Sequence, residues 1–305
     1  MDIALVTGTA DLPFDVAAVD APLVAALERR GARLHRPVWH DASVAWEDYD
    51  LALVRTTWDY HRQREAFVTW AAAAGGATRL WNPPDVLRWN THKGYLLELE
   101  DRGAPVVPTA WLGRGDRIDL GALLAAREWP AAVVKPAIGA SAEGLVRVAV
   151  DLPDDPPGSV EVAGRVGLRT AQRHLDDLLA AGDVLVQPYL AAIEAHGELS
   201  VVVVDGAVTH AVRKRPATGD FRVQEEYGGR AVVEAPDAEV AALARWVVEA
   251  TGAEVLVARV DLLQDGGGSW QLAELELTEP DLFLSAAPAA ADRLADAIVA
   301  RAGGS

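Results

Sequence analysis

Three carboxylates near the end of this 305-residue chain stand where their mutual repulsion needs an explanation. Asp261 lies in the apolar stretch ARVDLL and Glu274 and Glu276 lie in QLAELEL, with the turn QDGGGS between them. Side chains alternate along a strand, so Glu274 and Glu276 share one face and Leu275 and Leu277 the other. Two residues of strand span about 6.6 Å and paired strands lie about 4.8 Å apart, so the three side chains can converge. At ~5 Å and an effective dielectric near 20, two carboxylates repel by about 3 kcal/mol. A hard divalent cation removes that repulsion, and oxygen ligands without His or Cys select Mg²⁺ or Mn²⁺ over Zn²⁺. Glu279 and Asp281, further along in TEPDLF, read as charges facing water.

Cations form the second constellation. Lysine is scarce, and Lys93, Lys135 and Lys214 stand in unusual places. Lys135 interrupts the apolar run AAVVKPAIG, where a lysine either snorkels from a strand end or meets an anion. The loop GASAEG follows, from Gly139 to Gly144 with Ser141 inside it, and has too little side chain to obstruct a phosphate. Arg213, Lys214, Arg215 and Arg222 cluster in AVRKRPATGDFRVQEEYGG, either as an exposed basic loop or as a seat for an anion. A third group, RTTWDYH, ends an apolar strand, where open α/β sheets place their ligands. There Arg55 suits a substrate carboxylate and Asp59 an ammonium, with Thr57 and Tyr60 beside them. Trp58 and Tyr60 either face that substrate or pack beneath a loop.

These groups need a scaffold, and the hydrophobic pattern supplies one. The first hundred residues alternate buried strands (DIALVTG, DLALVRTTW) with helices that stop at glycine (APLVAALERRGA, REAFVTWAAAAGG), which predicts a parallel sheet covered by helices. A helix opened by Asn90 or Thr91 and closed by Gly103 follows. Beyond it the pattern turns antiparallel. AAVVKPAIGASAEGLVRV reads as a hairpin, LPDDPPGS as a surface loop and GLRTAQRHLDDLLAAG as an amphipathic helix. DVLVQPYL is a strand ending at Pro188, and a second hairpin turns on Asp205-Gly206. The helix DAEVAALARWVVEATG then leads to the paired strands of the carboxylates.

Composition excludes much else. The formal net charge of -17 argues against nucleic acid or an anionic membrane as the main partner. No cysteine is present, which removes disulfides, thiolate metal sites and thiol nucleophiles. A basic leader and an apolar run of membrane-spanning length are both missing, so a soluble cytoplasmic protein is expected. No P-loop, full dinucleotide fingerprint, H-E-x-x-H or G-x-S-x-G pattern occurs. Homo-oligomerisation is left open.

Lysine helix, lysine hairpin with its small loop, VQPYL, GELS, the basic GDFR segment, ARVD and ELE occur in an order that resembles the ATP-grasp ligases from about Asn90 to Leu284. The resemblance implies an ATP-grasp fold, α/β with α+β lobes, in which an N-terminal parallel α/β domain precedes two antiparallel lobes clasping ATP. It implies boundaries near 1–90, 91–187 and 188–305. Lys93 and Lys135 would bind phosphates beneath the loop holding Ser141, and Gln187, Tyr189 and Leu190 would form the hinge against adenine. Glu198 would take the ribose, and Lys214 would reach the γ-phosphate. Asp261, Glu274 and Glu276 would hold two Mg²⁺ ions, with Mn²⁺ an alternative, and Arg259 and Arg222 would stabilise charge at the reacting carboxyl. Two features depart from the family pattern: Glu276 replaces the usual Asn, and GASAEG is poor in glycine for a lid.

A narrower similarity, in RTTWDYH, NPPDVLRWNTHKGYL, GDFRVQEEYGG and ELELTEPDLFL, is to the ATP-grasp branch containing the cyclo-ligase of D-cycloserine biosynthesis. It implies an amino-acid-like small-molecule substrate such as O-ureido-D-serine, activated as an acyl phosphate and closed by its own nitrogen. A ligase joining two amino acids, and a nucleotide-binding regulatory module without activity, are the alternatives.

Overall fold

The computed structural model describes residues 1–9, 15–149, 165–217, 223 and 228–304. The first sheet holds β1 (Asp2–Thr7), β2 (Arg33–His35), β3 (Leu51–Thr56) and β4 (Leu80–Trp81) in the order β2-β1-β3-β4, and every pairing is parallel. Strand alternation splits its side chains between two cores. Ile3, Leu5, Leu51 and Leu53 pack with Leu23 and Leu27 of α1 (Val16–Arg29), while Ala4, Val6, Ala52 and Val54 pack with Phe67 and Ala71 of α2 (Arg64–Ala77). Two shorter helices, α3 (Pro84–Asn90) and α4 (Tyr95–Asp101), follow.

The second sheet has the order β5-β9-β6-β7-β8, with β5 (Ala110–Leu112), β6 (Ala131–Pro136), β7 (Val146–Ala149), β8 (Arg165–Val166) and β9 (Val184–Pro188). It is antiparallel apart from the β7–β8 pair. Its core is closed by α5 (Leu120–Ala126) and α6 (Leu168–Ala181). α5 opens on Asp119, whose carboxylate accepts from the Ala122 N–H at 2.9 Å and satisfies one of the free amides of the first turn.

The third sheet is antiparallel throughout, in the order β12-β11-β10-β13-β14. It comprises β10 (Glu198–Val204), β11 (Ala207–Arg215), β12 (Arg230–Glu234), β13 (Val257–Gln264) and β14 (Trp270–Glu276), with α7 (Ala192–His196) before it and α8 (Ala238–Glu249) packed on one face. The C-terminal helix α9 (Pro288–Gly303) returns to the first sheet, where Leu294 and Ile298 share a core with Leu5 and Leu27.

Two expectations change. The helix predicted from Asn90 or Thr91 to Gly103 is divided, because Asn90 ends α3 and α4 begins only at Tyr95. Asn90 is not a helix cap. Its side chain donates to the Leu275 carbonyl and accepts from the Leu277 N–H, both at 2.7 Å. β14 is an edge strand, and these bonds satisfy main-chain groups that would otherwise lie unpaired in the interior. The predicted loop LPDDPPGS and most of the GDFR segment lie outside the described residues.

Candidate active site

A cavity of about 560 Å³ opens between the second and third sheets and reaches the first. All three lysines of the chain, Lys93, Lys135 and Lys214, line it. Lys135 comes from β6, Lys214 from β11, and Lys93 from the turn between α3 and α4. The register of β10, β11, β13 and β14 builds the acidic wall: Glu198 pairs with Lys214, Ser200 with Asp261, Asp261 with Glu274, and Arg259 with Glu276. A bulge between Asp261 and Leu262 lets Leu272 and Leu275 both enter the apolar core while Glu274 and Glu276 keep to the cavity.

Each carboxylate of the wall is held by a cation. The Lys93 ammonium lies 3.0 Å from Glu274 and also donates to the Gly139 carbonyl at 2.9 Å. Lys214 pairs with Glu198 and stands 3.8 Å from Asp261. Arg259 grips Asp261 through two N–H groups, at 2.8 and 2.9 Å, and bridges to Glu276. Lys135 differs. It makes no hydrogen bond or ion pair among the described residues, and burial lowers its pKa against the pull of Glu274. A half-buried ammonium without a partner is costly, so this one stands ready for an anion.

The protonation states follow from the same crowding. Burial alone would raise the pKa of Asp261, but Arg259 and Lys214 overcome it and hold the carboxyl down at about 2. Burial likewise opposes ionisation of Glu274, and Lys93 and Lys135 outweigh it. Glu276 goes the other way, pushed up to about 8 by burial first, against the pull of Arg259 and with added repulsion from Asp261 and Glu274. A carboxyl whose folded pKa is raised takes up a proton on folding. Its contribution to stability is present below its ordinary 4.5 and is lost as pH rises towards about 8. Without divalent cations, wild type should therefore lose melting temperature between pH 5 and 8 more steeply than Glu276→Gln, as a calorimetric pH series would show. Equal slopes would remove Glu276 as the source.

Among the described residues no three of His, Asp and Glu converge closely enough to hold an ion as they stand. The donor chemistry nonetheless fits a hard divalent cation, since Asp261, Glu274 and Glu276 supply only oxygens to one wall. Arg259 and Lys93 are the groups a metal would displace.

At the other end of the cavity, Gln187 is buried and donates to the Thr109 hydroxyl at 2.9 Å. The Tyr189 N–H bonds to the Ala131 carbonyl at 2.9 Å, its hydroxyl reaches Glu194 at 2.7 Å, and the Arg147 guanidinium stacks 3.5 Å from the ring centroid. Leu190 lines the same end. The Gly139–Gly144 loop also borders the cavity, with Ser141 at φ 49° and Ala142 at φ 56°, a region disfavoured by Cβ. Glu143 ties it to the N-terminal region through His61 at 2.9 Å.

The RTTWDYH expectation is corrected. Arg55 is fully buried, donates to Asp20 at 2.9 Å and to the Pro280 carbonyl at 3.0 Å, and does not line the cavity. Thr57 is likewise buried away from it. Asp59 accepts from the Thr9 N–H and hydroxyl, both at 2.9 Å, and from the Trp39 indole at 3.0 Å, so it fastens a loop. The fit is tight: a Cβ on Gly8 would come within 2.3 Å of that carboxylate. Tyr60 does border the cavity, and so does Trp58, whose indole N–H donates to the Glu279 carbonyl at 2.9 Å. Glu279 itself is 7% exposed rather than facing water, and burial, then Glu276, pushes its carboxyl well above the usual range. Arg222 lies outside the described residues.

A family model described as the RimK-like ATP-grasp domain matches residues 165–276, and one described as the N-terminal domain of D-cycloserine synthetase DcsG matches residues 3–82. Residues 165–276 thus match an ATP-grasp domain, and the chain as a whole has the fold of ATP-grasp ligases. It is 29% identical to the cycloserine biosynthesis protein DcsG of Streptomyces lavendulae, over 98% of each chain. The crystal structure of D-cycloserine synthetase DcsG superposes with a TM-score of 0.85 at 28% identity, covering 99% of this chain and 100% of that one. The ATP complex of D-alanine–D-alanine ligase from Bacillus anthracis gives a TM-score of 0.71 at 16% identity over 99% and 97% of the two chains, a likeness of fold.

Proposed function

We propose that this ligase activates the carboxylate of an amino-acid derivative with ATP and closes it on its own nitrogen, with O-ureido-D-serine as substrate and D-cycloserine as product. One observation carries the ATP site: among the described residues Lys135 stands unpaired in a cavity whose opposite wall is Asp261, Glu274 and Glu276. Substrate identity rests on the likeness to DcsG along the whole chain. In this reading residues 1–90 contribute to the substrate end, and 91–187 and 188–305 enclose the nucleotide. The protein acts in the cytoplasm; no helix among the described residues is long and apolar enough to cross a membrane.

Lys93 and Lys135 hold the phosphates, Lys214 the γ end, Glu198 the ribose, and Gln187, Tyr189 and Leu190 the adenine, with Ser141 in the loop above. Asp261, Glu274 and Glu276 hold Mg²⁺, which when bound neutralises the carboxylates and the charge on the transferring phosphoryl group. A substrate carboxylate oxygen attacks the γ-phosphorus, the bond to ADP breaks, and an acyl phosphate forms. The nitrogen bonded to the substrate oxygen then attacks the acyl carbon, and phosphate leaves as the proton passes to solvent. Release of free D-cycloserine further requires water to remove the carbamoyl group. Arg259, with Arg222, steadies charge at the acyl carbon, and the Gly139–Gly144 loop keeps water from the intermediate until the ring closes.

Incubation with ATP, Mg²⁺ and O-ureido-D-serine should release ADP and phosphate in step with D-cycloserine. Stoichiometric AMP would refute the acyl-phosphate route, and ADP release only with paired amino acids would favour the two-substrate ligase. Lys135→Ala should weaken Mg²⁺-ATP binding by one charge-assisted contact, about 1.5–3 kcal/mol. Calorimetry checks this, and unchanged affinity removes Lys135 from the phosphate site.

A further inference from the structure

We propose that Glu279 is the ammonium-binding residue of the substrate site, so that the carboxylate substrate must carry a protonated primary amine; this rests on the ligase reading above. Seven acidic side chains line the cavity, and six are already engaged. Glu143 meets His61, Glu198 meets Lys214, Asp261 and Glu276 meet Arg259, Glu274 meets Lys93, and Asp281 accepts from the Phe283 N–H at 2.8 Å. Glu279 alone has no hydrogen bond or ion pair to its carboxylate among the described residues, although its side chain is almost wholly withdrawn from water.

An unpaired buried carboxylate destabilises a protein, so its place on the wall of a ligand cavity points to a partner that arrives with the ligand. The missing partner is a cation. Its surroundings select an organic one: Trp58, Tyr60 and Phe283 line the same cavity, and aromatic faces attract ammonium groups. The position is also fixed. Trp58 donates to the Glu279 main-chain carbonyl, and Arg55 donates to the next one, Pro280, at 3.0 Å, so the turn carrying Glu279 is anchored to β3 and the residues after it. Asp59, the other acid suited to an ammonium, is consumed by Thr9 and Trp39.

The test compares two ligands by calorimetry on ADP-loaded protein: O-ureido-D-serine and its desamino counterpart, which lacks only the amine. Wild type should bind the amino form about 10- to 150-fold more tightly, the size of one charge-assisted contact. Glu279→Gln should bind both about equally while keeping its ADP affinity. It should also melt no lower than wild type, because a neutral amide of the same shape replaces a carboxyl that burial already keeps from ionising. Glu279→Asp, which keeps the charge, should retain part of the amine preference; this second variant serves if the first does not fold. Full amine preference in a folded Glu279→Gln overturns the assignment and leaves the ligase reading intact. If wild type binds neither ligand, the named substrate is wrong. D-serine and D-alanine are then compared with their own desamino counterparts, and no amine preference across that set overturns the assignment as well.

Discussion

Arg259→Lys is expected to fold and bind Mg²⁺-ATP yet lose about 10²–10³ in kcat, equivalent to about 2.7–4 kcal/mol of transition-state stabilisation. In the structure Arg259 serves as counter-ion to Asp261 and Glu276, with a weaker contact to the Asp281 carbonyl at 3.4 Å. Those carboxylates are the proposed metal ligands, and a cation held by them would free the guanidinium to face charge developing at the acyl carbon. Lysine retains the charge but cannot present two parallel donors, and it cannot span Asp261 and Glu276 together. Steady-state kinetics at saturating ATP, alongside calorimetric binding, separates the two roles. Lost Mg²⁺-ATP affinity with intact turnover at saturation would leave Arg259 a counter-ion only.

The acidic and basic walls were legible because both are written locally. A two-residue spacing in a strand fixes a shared face, and a Gly-rich turn fixes which strand lies opposite, so Asp261, Arg259, Glu274 and Glu276 could be placed together from sequence alone. Lys135 was legible for another reason: a lone ammonium in an apolar run demands an anion or an exit to water. The parallel first sheet and the antiparallel character of the rest followed from the change in hydrophobic pattern.

What stayed hidden depends on contacts between distant segments. Asn90 has the residue type of a helix cap, and only the approach of β14, some 185 residues later, turns it into a partner for Leu275 and Leu277. Glu279 follows an alternating strand and resembles a solvated charge. It is nonetheless buried, and Trp58, 221 residues away in sequence, donates to its main-chain carbonyl, a contact that no periodicity in TEPDLF could announce. Asp59 and Arg55 were misplaced because a strand end predicts where ligands gather, not which side chains are already spent inside the protein.

Arg55→Met is therefore expected to act on stability, costing about 3–5 kcal/mol, rather than on substrate affinity. Arg55 and Asp20 are both fully buried, joined at 2.9 Å, and tie β3 to α1. Arg36, at 3.8 Å from the second Asp20 oxygen, is too distant to replace the lost partner. Removing the guanidinium leaves the carboxylate uncompensated in a site it cannot leave. The double variant Arg55→Met/Asp20→Leu removes both charges and should recover most of the loss, since a buried pair exchanged for apolar side chains of similar volume is often near neutral. The same guanidinium also anchors Pro280, so the double variant should keep a deficit of about 1 kcal/mol from that hydrogen bond. Chemical denaturation of wild type, both single variants and the double variant gives the coupling directly. A stable Arg55→Met with a raised KM for the carboxylate substrate would instead restore Arg55 as its clamp.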